Sequence, residues 1–159
     1  MLMIAQEAVA LLQASGLSVA TCESLTGGMI ASAMVEVPGA SQVVKGGFVT
    51  YQTVTKTMLV DVPAEVIDEH DVVSAEVARG MAEGARKKLG VDIAVSATGL
   101  AGPDGGTPEK PVGTVFVGVS TKDGTYALPL HLTGNRARIR TLTMKNALNA
   151  VRLEALKGL

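Results

Sequence analysis

Leu17-Ser-Val-Ala-Thr-Cys-Glu-Ser-Leu-Thr-Gly-Gly-Met-Ile-Ala-Ser-Ala-Met-Val-Glu-Val37 reads as a strand, a glycine turn and a helix in direct succession. Leu17 and Val19 alternate with Ser18 and Ala20, the period of a strand over residues 17–22. Met29, Ile30, Ala33, Met34 and Val37 recur at helical spacing over 28–37, and Pro38-Gly39 closes that run. A strand end feeding a helix N-terminus presents free backbone N–H groups and the positive end of a dipole. Thr21, Cys22, Glu23, Ser24 and Thr26 crowd this junction with Gly27-Gly28. A serine here caps the helix, binds an anion or attacks a carbonyl carbon. In the capping reading Ser24 or Thr26 holds the helix end and Glu23 is a solvated side chain. The missing lysine excludes the common phosphate-loop pattern.

Working outward, helices and strands alternate. Ile4, Ala8, Leu11 and Leu12 mark a first helix ended by Gly16. Val43 to Tyr51 reads as a strand interrupted by Gly46-Gly47. Thr53 to Val60 reads as a short helix with Thr53 at its N-cap, and a further helical turn starts at Pro63. Ser74 caps a helix whose face is Val77, Ala78, Met81, Ala82, Ala85 and Leu89, ended by Gly90. Gly80 and Gly84 inside it suit close packing against the sheet or a partner subunit. Val91 to Thr98 and Val112 to Ser120 read as strands. Lys122-Asp123-Gly124 predicts a hairpin into Tyr126–Leu132, where Pro129 points to a sheet edge. Residues 135–157 form the last helix, with Asn135 as its cap. The expected architecture is α/β: a three-layer α/β/α sandwich with a mixed, mostly parallel sheet, as one domain over residues 1–159.

Composition narrows the classes. At 159 residues roughly 70% of the unfolded surface is buried on folding. Hydrophobic residues make up 47% but aromatics only 3%, so the core is aliphatic. The single cysteine, Cys22, allows no internal disulfide and suits a reducing compartment. A net charge of −1 with few aromatics argues against a nucleic-acid partner. No apolar run approaches the about 18 residues of a membrane span. No Lys or Arg precedes Lys45, unlike a secretory or transit leader, so the expected location is cytoplasmic.

Four segments carry chemistry. Besides 21–28, Lys56 falls in the first turn of a short helix, where the dipole and any burial favour the neutral amine. A neutral lysine takes a proton from a serine hydroxyl; a solvated one does not. Tyr51, just before it, is either a core aromatic or a partner in a proton network. Residues 99–111 hold four glycines and three prolines after a strand, as a ligand loop or a plain surface loop. Arg136 and Arg140, four apart at a helix start, suit a phosphate or carboxylate, or else a solvated basic face. His70 and His131, the only histidines, sit in no ligand spacing, and no cysteine pair exists. A transition-metal site and a serine–histidine triad are therefore both poorly supported. A Ser24–Lys56 pair is the nucleophile arrangement most available.

Glu23-Ser-Leu-Thr-Gly-Gly28, Gly47-Phe-Val-Thr-Tyr51 with Lys56, and Gly99-Leu-Ala-Gly-Pro-Asp-Gly-Gly106 with Lys110-Pro-Val-Gly-Thr114 together resemble the CinA C-terminal domain family. The resemblance covers almost the whole chain. It implies a nicotinamide-nucleotide amidase, in stand-alone form without the N-terminal domain of longer CinA proteins. The implied reaction converts nicotinamide mononucleotide (NMN) to nicotinic acid mononucleotide and ammonia, in NAD recycling. Ser24 would be the nucleophile, Lys56 the base and Tyr51 part of their network, with no cofactor and no metal. Thr26, Gly27, Gly28, Thr98, Gly99, Arg136 and Arg140 would contact the substrate. The N–H groups near Thr26-Gly27-Gly28 would hold the oxyanion, and Arg136, Arg140 or the 99–106 loop the phosphate. A homodimer is expected. Cys22 stands where the family commonly has alanine, Leu25 where it has cysteine, Gln52-Thr-Val-Thr55 where Ser-Asn is usual, and Asn135 where aspartate is common. The alternative reading is a non-catalytic nucleotide-binding or regulatory module.

Overall fold

The structure is a computed structural model describing all of residues 1–159. In chain order it has α1 (Met3–Ser15), β1 (Val19–Glu23), α2 (Met29–Val35), a 3-10 turn (Ala40–Gln42), β2 (Val44–Val49), α3 (Thr53–Val60) and α4 (Ala64–His70). There follow α5 (Ala75–Leu89), β3 (Ile93–Gly99), β4 (Thr114–Thr121), β5 (Gly124–His131) and α6 (Arg136–Lys157).

The five strands form one mixed sheet in the order β2-β1-β3-β4-β5. β1 pairs in parallel with β2 and with β3, while β4 runs antiparallel to both β3 and β5. Four strands therefore point one way, and β4 alone reverses. The Lys122-Asp123-Gly124 turn makes the β4–β5 hairpin. Pro129, which has no N–H for a second ladder, lies on edge strand β5 as its chemistry requires.

Both faces are covered, which is why β1 and all of β3 except Gly99 are fully buried. On one face α1, α2 and α6 close an aliphatic core around Leu12, Ile30, Met34, Ile139 and Leu148. Each such side chain contributes roughly 1.5–3 kcal/mol by leaving water. On the other face α3, α4 and α5 cover Cys22, Val60, Ile67, Val77 and Met81.

The expected caps are largely in place. Ser74 accepts from the Val77 N–H at 3.2 Å, and Asn135 from the Arg138 N–H at 2.9 Å. Gly16 and Gly90 end their helices in the left-handed conformation. Thr53 is not a cap: it is the first residue of α3, whose flanking Gln52 makes no side-chain capping bond. Gly80 and Gly84 face the end of α3 and the residues after it. A Cβ on Gly84 would collide with the Val60 carbonyl, and one on Gly80 would lie 3.4 Å from Val62. The two glycines let α5 dock against the end of α3 within the same chain.

Candidate active site

Three parallel strands end on one rim. β2 runs out into Thr50 and Tyr51, β1 into Ser24, and β3 into Gly99 and the glycine–proline loop. Open α/β sheets bind ligands outside the carboxyl ends of such strands. A cleft of about 240 Å³ lies there, lined by Ser24, Leu25, Tyr51, Thr53, Lys56, Val72, Val73, Thr98, Gly99, Leu100, Ala101, Gly102, Asp104 and Arg136. A larger cavity, about 370 Å³, opens at the opposite end around Arg86, Asp92 and Glu154, but holds no nucleophile–base pair.

The two-residue period of β1 sorts the junction. Cys22 packs into the core on the α3 and α5 side, and Ser24, two residues on, meets Lys56 of α3. Lys56 Nζ is 3.1 Å from Ser24 Oγ and donates to the Thr50 carbonyl at 2.6 Å. Its side chain is 1% exposed. Burial pulls the ammonium down from 10.5 to about 8, and the nearby Cys22 only slightly offsets this. The Ser24 hydroxyl donates to the Tyr51 carbonyl at 3.4 Å. Cys22 itself is buried, its thiol pushed up to about 11 by desolvation, with Thr50 Oγ1 at 3.6 Å. It is an inert neighbour rather than a nucleophile.

Glu23 points the other way, toward α2, and overturns the picture of an open helix N-terminus. Its carboxylate accepts from the N–H groups of Gly28 (3.2 Å), Ile30 (2.9 Å) and Ala31 (3.0 Å). It is 1% exposed, not solvated, and neither Ser24 nor Thr26 caps the helix. The carboxylate instead meets the dipole end and the orphan donors together. Gly28 turns the chain at φ 105°, a conformation that suits glycine.

Seven of the nine N–H groups from Ser24 to Ser32 have an acceptor within the chain. Ser24 donates to Ala97, Gly27 to Ser24, Met29 to Thr26 and Ser32 to Gly28. Gly28, Ile30 and Ala31 are taken by Glu23. Leu25 and Thr26 alone have no acceptor within the chain. The expectation that Gly27 and Gly28 offer oxyanion donors is therefore corrected: those N–H groups are already used.

The remaining expected residues fall at different distances from the pair. The Tyr51 ring is 60% exposed, and its hydroxyl accepts from Arg136 Nη2 at 3.2 Å. Tyr51 thus touches Ser24 through its carbonyl, not its phenol. Thr98 lines the cleft while donating to the Val72 carbonyl at 3.0 Å. Gly99 also lines it, at a position where a Cβ would lie 2.6 Å from Val115 Cγ2. Arg136 also lines it and donates to the Gly102 carbonyl at 2.7 Å. Arg140 does not line it; its Nε donates to the Leu25 carbonyl at 2.8 Å. Lys110 ties the loop down through the Val73 carbonyl at 2.6 Å.

Glu23 as a cap, the Thr50 carbonyl as the lysine's anchor and the free Leu25 N–H escaped the sequence reading. A carboxylate directly between a strand and a glycine turn was the one available signal for the first. The other two depend on backbone atoms, which any residue type supplies.

The family model of the CinA C-terminal domain matches residues 2–155. The chain is 49% identical over 142 residues to a CinA-like protein of Citrifermentans bemidjiense, covering 89% of this chain and 34% of that one. It is 45% identical over 144 residues to a CinA-like protein of Dictyoglomus thermophilum, covering 91% and 35%. The chain thus spans about a third of the length of these curated relatives. Among solved structures, the competence/damage inducible protein CihA of Agrobacterium tumefaciens superposes with a TM-score of 0.91 at 37% identity, covering 97% of this chain and 93% of that one. A competence-damaged protein (CinA) superfamily protein of Escherichia coli gives 0.88 at 31% identity, covering 97% and 90%.

Proposed function

The chain belongs to the CinA C-terminal domain family, and from that premise we propose that it is an amidohydrolase converting NMN to nicotinic acid mononucleotide and ammonia. The observation that carries the reading is the buried Lys56 amine 3.1 Å from the Ser24 hydroxyl at the base of a cleft.

With its pKa near 8, about a tenth of Lys56 is neutral at pH 7. The neutral amine accepts the Ser24 proton as Oγ bonds to the carboxamide carbon, and the carbonyl electron pair moves onto oxygen. The N–H of Leu25, a residue that lines the cleft and has no acceptor for it within the chain, receives that oxyanion. The C–N bond then breaks, and Lys56 returns its proton to the departing nitrogen, which leaves as ammonia. Water, deprotonated by Lys56, attacks the ester carbon; the bond from carbon to Oγ breaks, and Lys56 returns that proton to Ser24 Oγ. The Thr50 carbonyl holds the amine beside Oγ, and the Ser24 proton, which rests on the Tyr51 carbonyl, turns to Nζ for the transfer. Thr98 and Gly99 wall the cleft, and Arg136 at its mouth takes the phosphate.

The same reading makes the chain a cytoplasmic homodimer. The exposed side of α3 supports the dimer: Val54, Met58 and Leu59 lie there uncovered, beside Val49 and Tyr51, and the only charged residue of α3 is the buried Lys56. Sedimentation of a monomer at micromolar concentration would remove that part.

The test of the function is ammonia and acid product from NMN. The reading expects both in equal amounts. NMN binding without ammonia would favour the non-catalytic module instead.

A further inference from the structure

Tyr51 links the nucleophile to the arginine at the cleft mouth. Its carbonyl accepts from Ser24 Oγ at 3.4 Å, and its phenol oxygen accepts from Arg136 Nη2 at 3.2 Å. Arg136 also donates to the Gly102 carbonyl at 2.7 Å, so the phenol end of the ring is tied to the glycine–proline loop. A substrate with its carboxamide at Ser24 and its phosphate at Arg136 therefore lays its ring and ribose beside this one side chain. Tyr51 lines the cleft and is 60% exposed, so a ligand can reach the ring.

In NMN the ring nitrogen carries the ribose in addition to its two ring bonds, which makes the ring a pyridinium with a full positive charge. The cleft has few groups of the right sign to meet it. Lys56 at the base, protonated in most molecules at pH 7, and Arg136 at the mouth both repel a cation. Among the lining residues Tyr51 is the only aromatic and Asp104 the only carboxylate. Asp104 is exposed, and water and salt screen its attraction. An aromatic face attracts a cation through its quadrupole, most strongly where both leave water, and it also stacks on a flat ring.

We propose that Tyr51 is the residue that recognises the substrate's charge: its ring lies against the pyridinium, and the site thereby selects N-ribosyl pyridinium carboxamides over neutral ones of the same outline. The inference rests on the amidase reading above. It gives the phenol a task other than proton transfer, that of holding the ring in place, in agreement with its bond to Arg136 rather than to Ser24.

The experiment compares NMN with its reduced form, whose ring is a neutral dihydropyridine while carboxamide, ribose and phosphate are unchanged. Calorimetry gives the Kd of each on Ser24→Ala, which by the mechanism above turns neither over, alone and combined with Tyr51→Phe, Tyr51→Leu or Asp104→Asn. Binding is read instead of rate because reduction also lowers the reactivity of the carboxamide. With Tyr51 in place, NMN is expected to bind about tenfold more tightly than the reduced form, the scale of a cation over an aromatic face. Tyr51→Phe, which keeps the ring, keeps that preference, and so does Asp104→Asn. Tyr51→Leu brings the two ligands within about twofold of each other. Equal affinities with Tyr51 present overturn the proposal. So does a preference that survives Tyr51→Leu, or one that Asp104→Asn abolishes. Ammonia release from NMN by wild type is measured alongside. Its absence removes the amidase reading and the proposal with it. Steady release together with any of the three overturning results removes the proposal alone.

Discussion

Lys56 Nζ sits 3.1 Å from Ser24 Oγ on a side chain that is 1% exposed, so a buried lysine with no acidic partner lies beside a hydroxyl. The helix α3 that carries it is docked by Gly84 against α5, and β1, which leads into Ser24, contributes to both cores. The pair is therefore set by the packing of the sheet and not by a flexible loop.

Only neutral Lys56 accepts a proton. With a pKa near 8, kcat/KM for NMN should rise about tenfold per pH unit below 8 and level off above it. Initial rates of ammonia release between pH 6.5 and 9.5 measure this. A profile flat across that range would deny Lys56 the role of base.

Burying the ammonium also weakens the fold, in a definite pH window. Below pH 8 folded and unfolded chains both carry the proton, and the folded state bears the full cost. Between 8 and 10.5 the unfolded lysine stays charged while the folded one is neutral, so the cost fades as pH rises. The drop from 10.5 to about 8 corresponds to about 3 kcal/mol. Denaturant unfolding of wild type and Lys56→Met should show wild type gaining about that much relative to the variant across the window. Both proteins carry Cys22→Ala in this comparison, because the Cys22 thiol and the Lys56 amine influence each other's titration. Parallel curves would show that the lysine is hydrated in the fold.

Glu23 joins the nucleophile turn to α2 through three N–H groups. Bonds to a charged acceptor contribute roughly 1.5–3 kcal/mol each, so Glu23→Gln should destabilise by at least about 2 kcal/mol. At roughly 2–4 °C per kcal/mol for a chain of this size, Tm falls by about 4–8 °C. A Tm within a degree of wild type would mean that the carboxylate is not the cap.

Gly84 and Gly80 separate backbone contact from side-chain contact. Gly84→Ala drives a methyl into the Val60 carbonyl, on backbone that cannot yield cheaply, and should cost about 2–3 kcal/mol. It should also lower amidase turnover by displacing α3 and Lys56. Gly80→Ala meets Val62 at 3.4 Å, an ordinary contact, and the gain in helix propensity of up to about 1 kcal/mol leaves stability level or raised. Thermal melts of the two variants check the contrast; equal losses would place α3 elsewhere.

Much of this was legible in the residues. Strand alternation at 17–22, the Lys122-Asp123-Gly124 hairpin and Pro129 at an edge all express local rules, and each has its place in the fold. Ser24 and Lys56 were legible as a pair because the chain offers its serine no histidine. What the residues hid was backbone. Tyr51 meets Ser24 by its carbonyl and Arg140 meets Leu25 by the same group, contacts that side-chain identity does not encode. Glu23 was hidden because a carboxylate satisfied by N–H groups and one satisfied by water have the same neighbours in sequence.

The most direct measurement is ammonia release from saturating NMN by wild type and by Ser24→Ala at pH 8, with both proteins shown to be folded. The account predicts steady release by wild type and a loss of at least about ten-thousandfold in the variant. Ser24→Ala turnover within tenfold of wild type would contradict it.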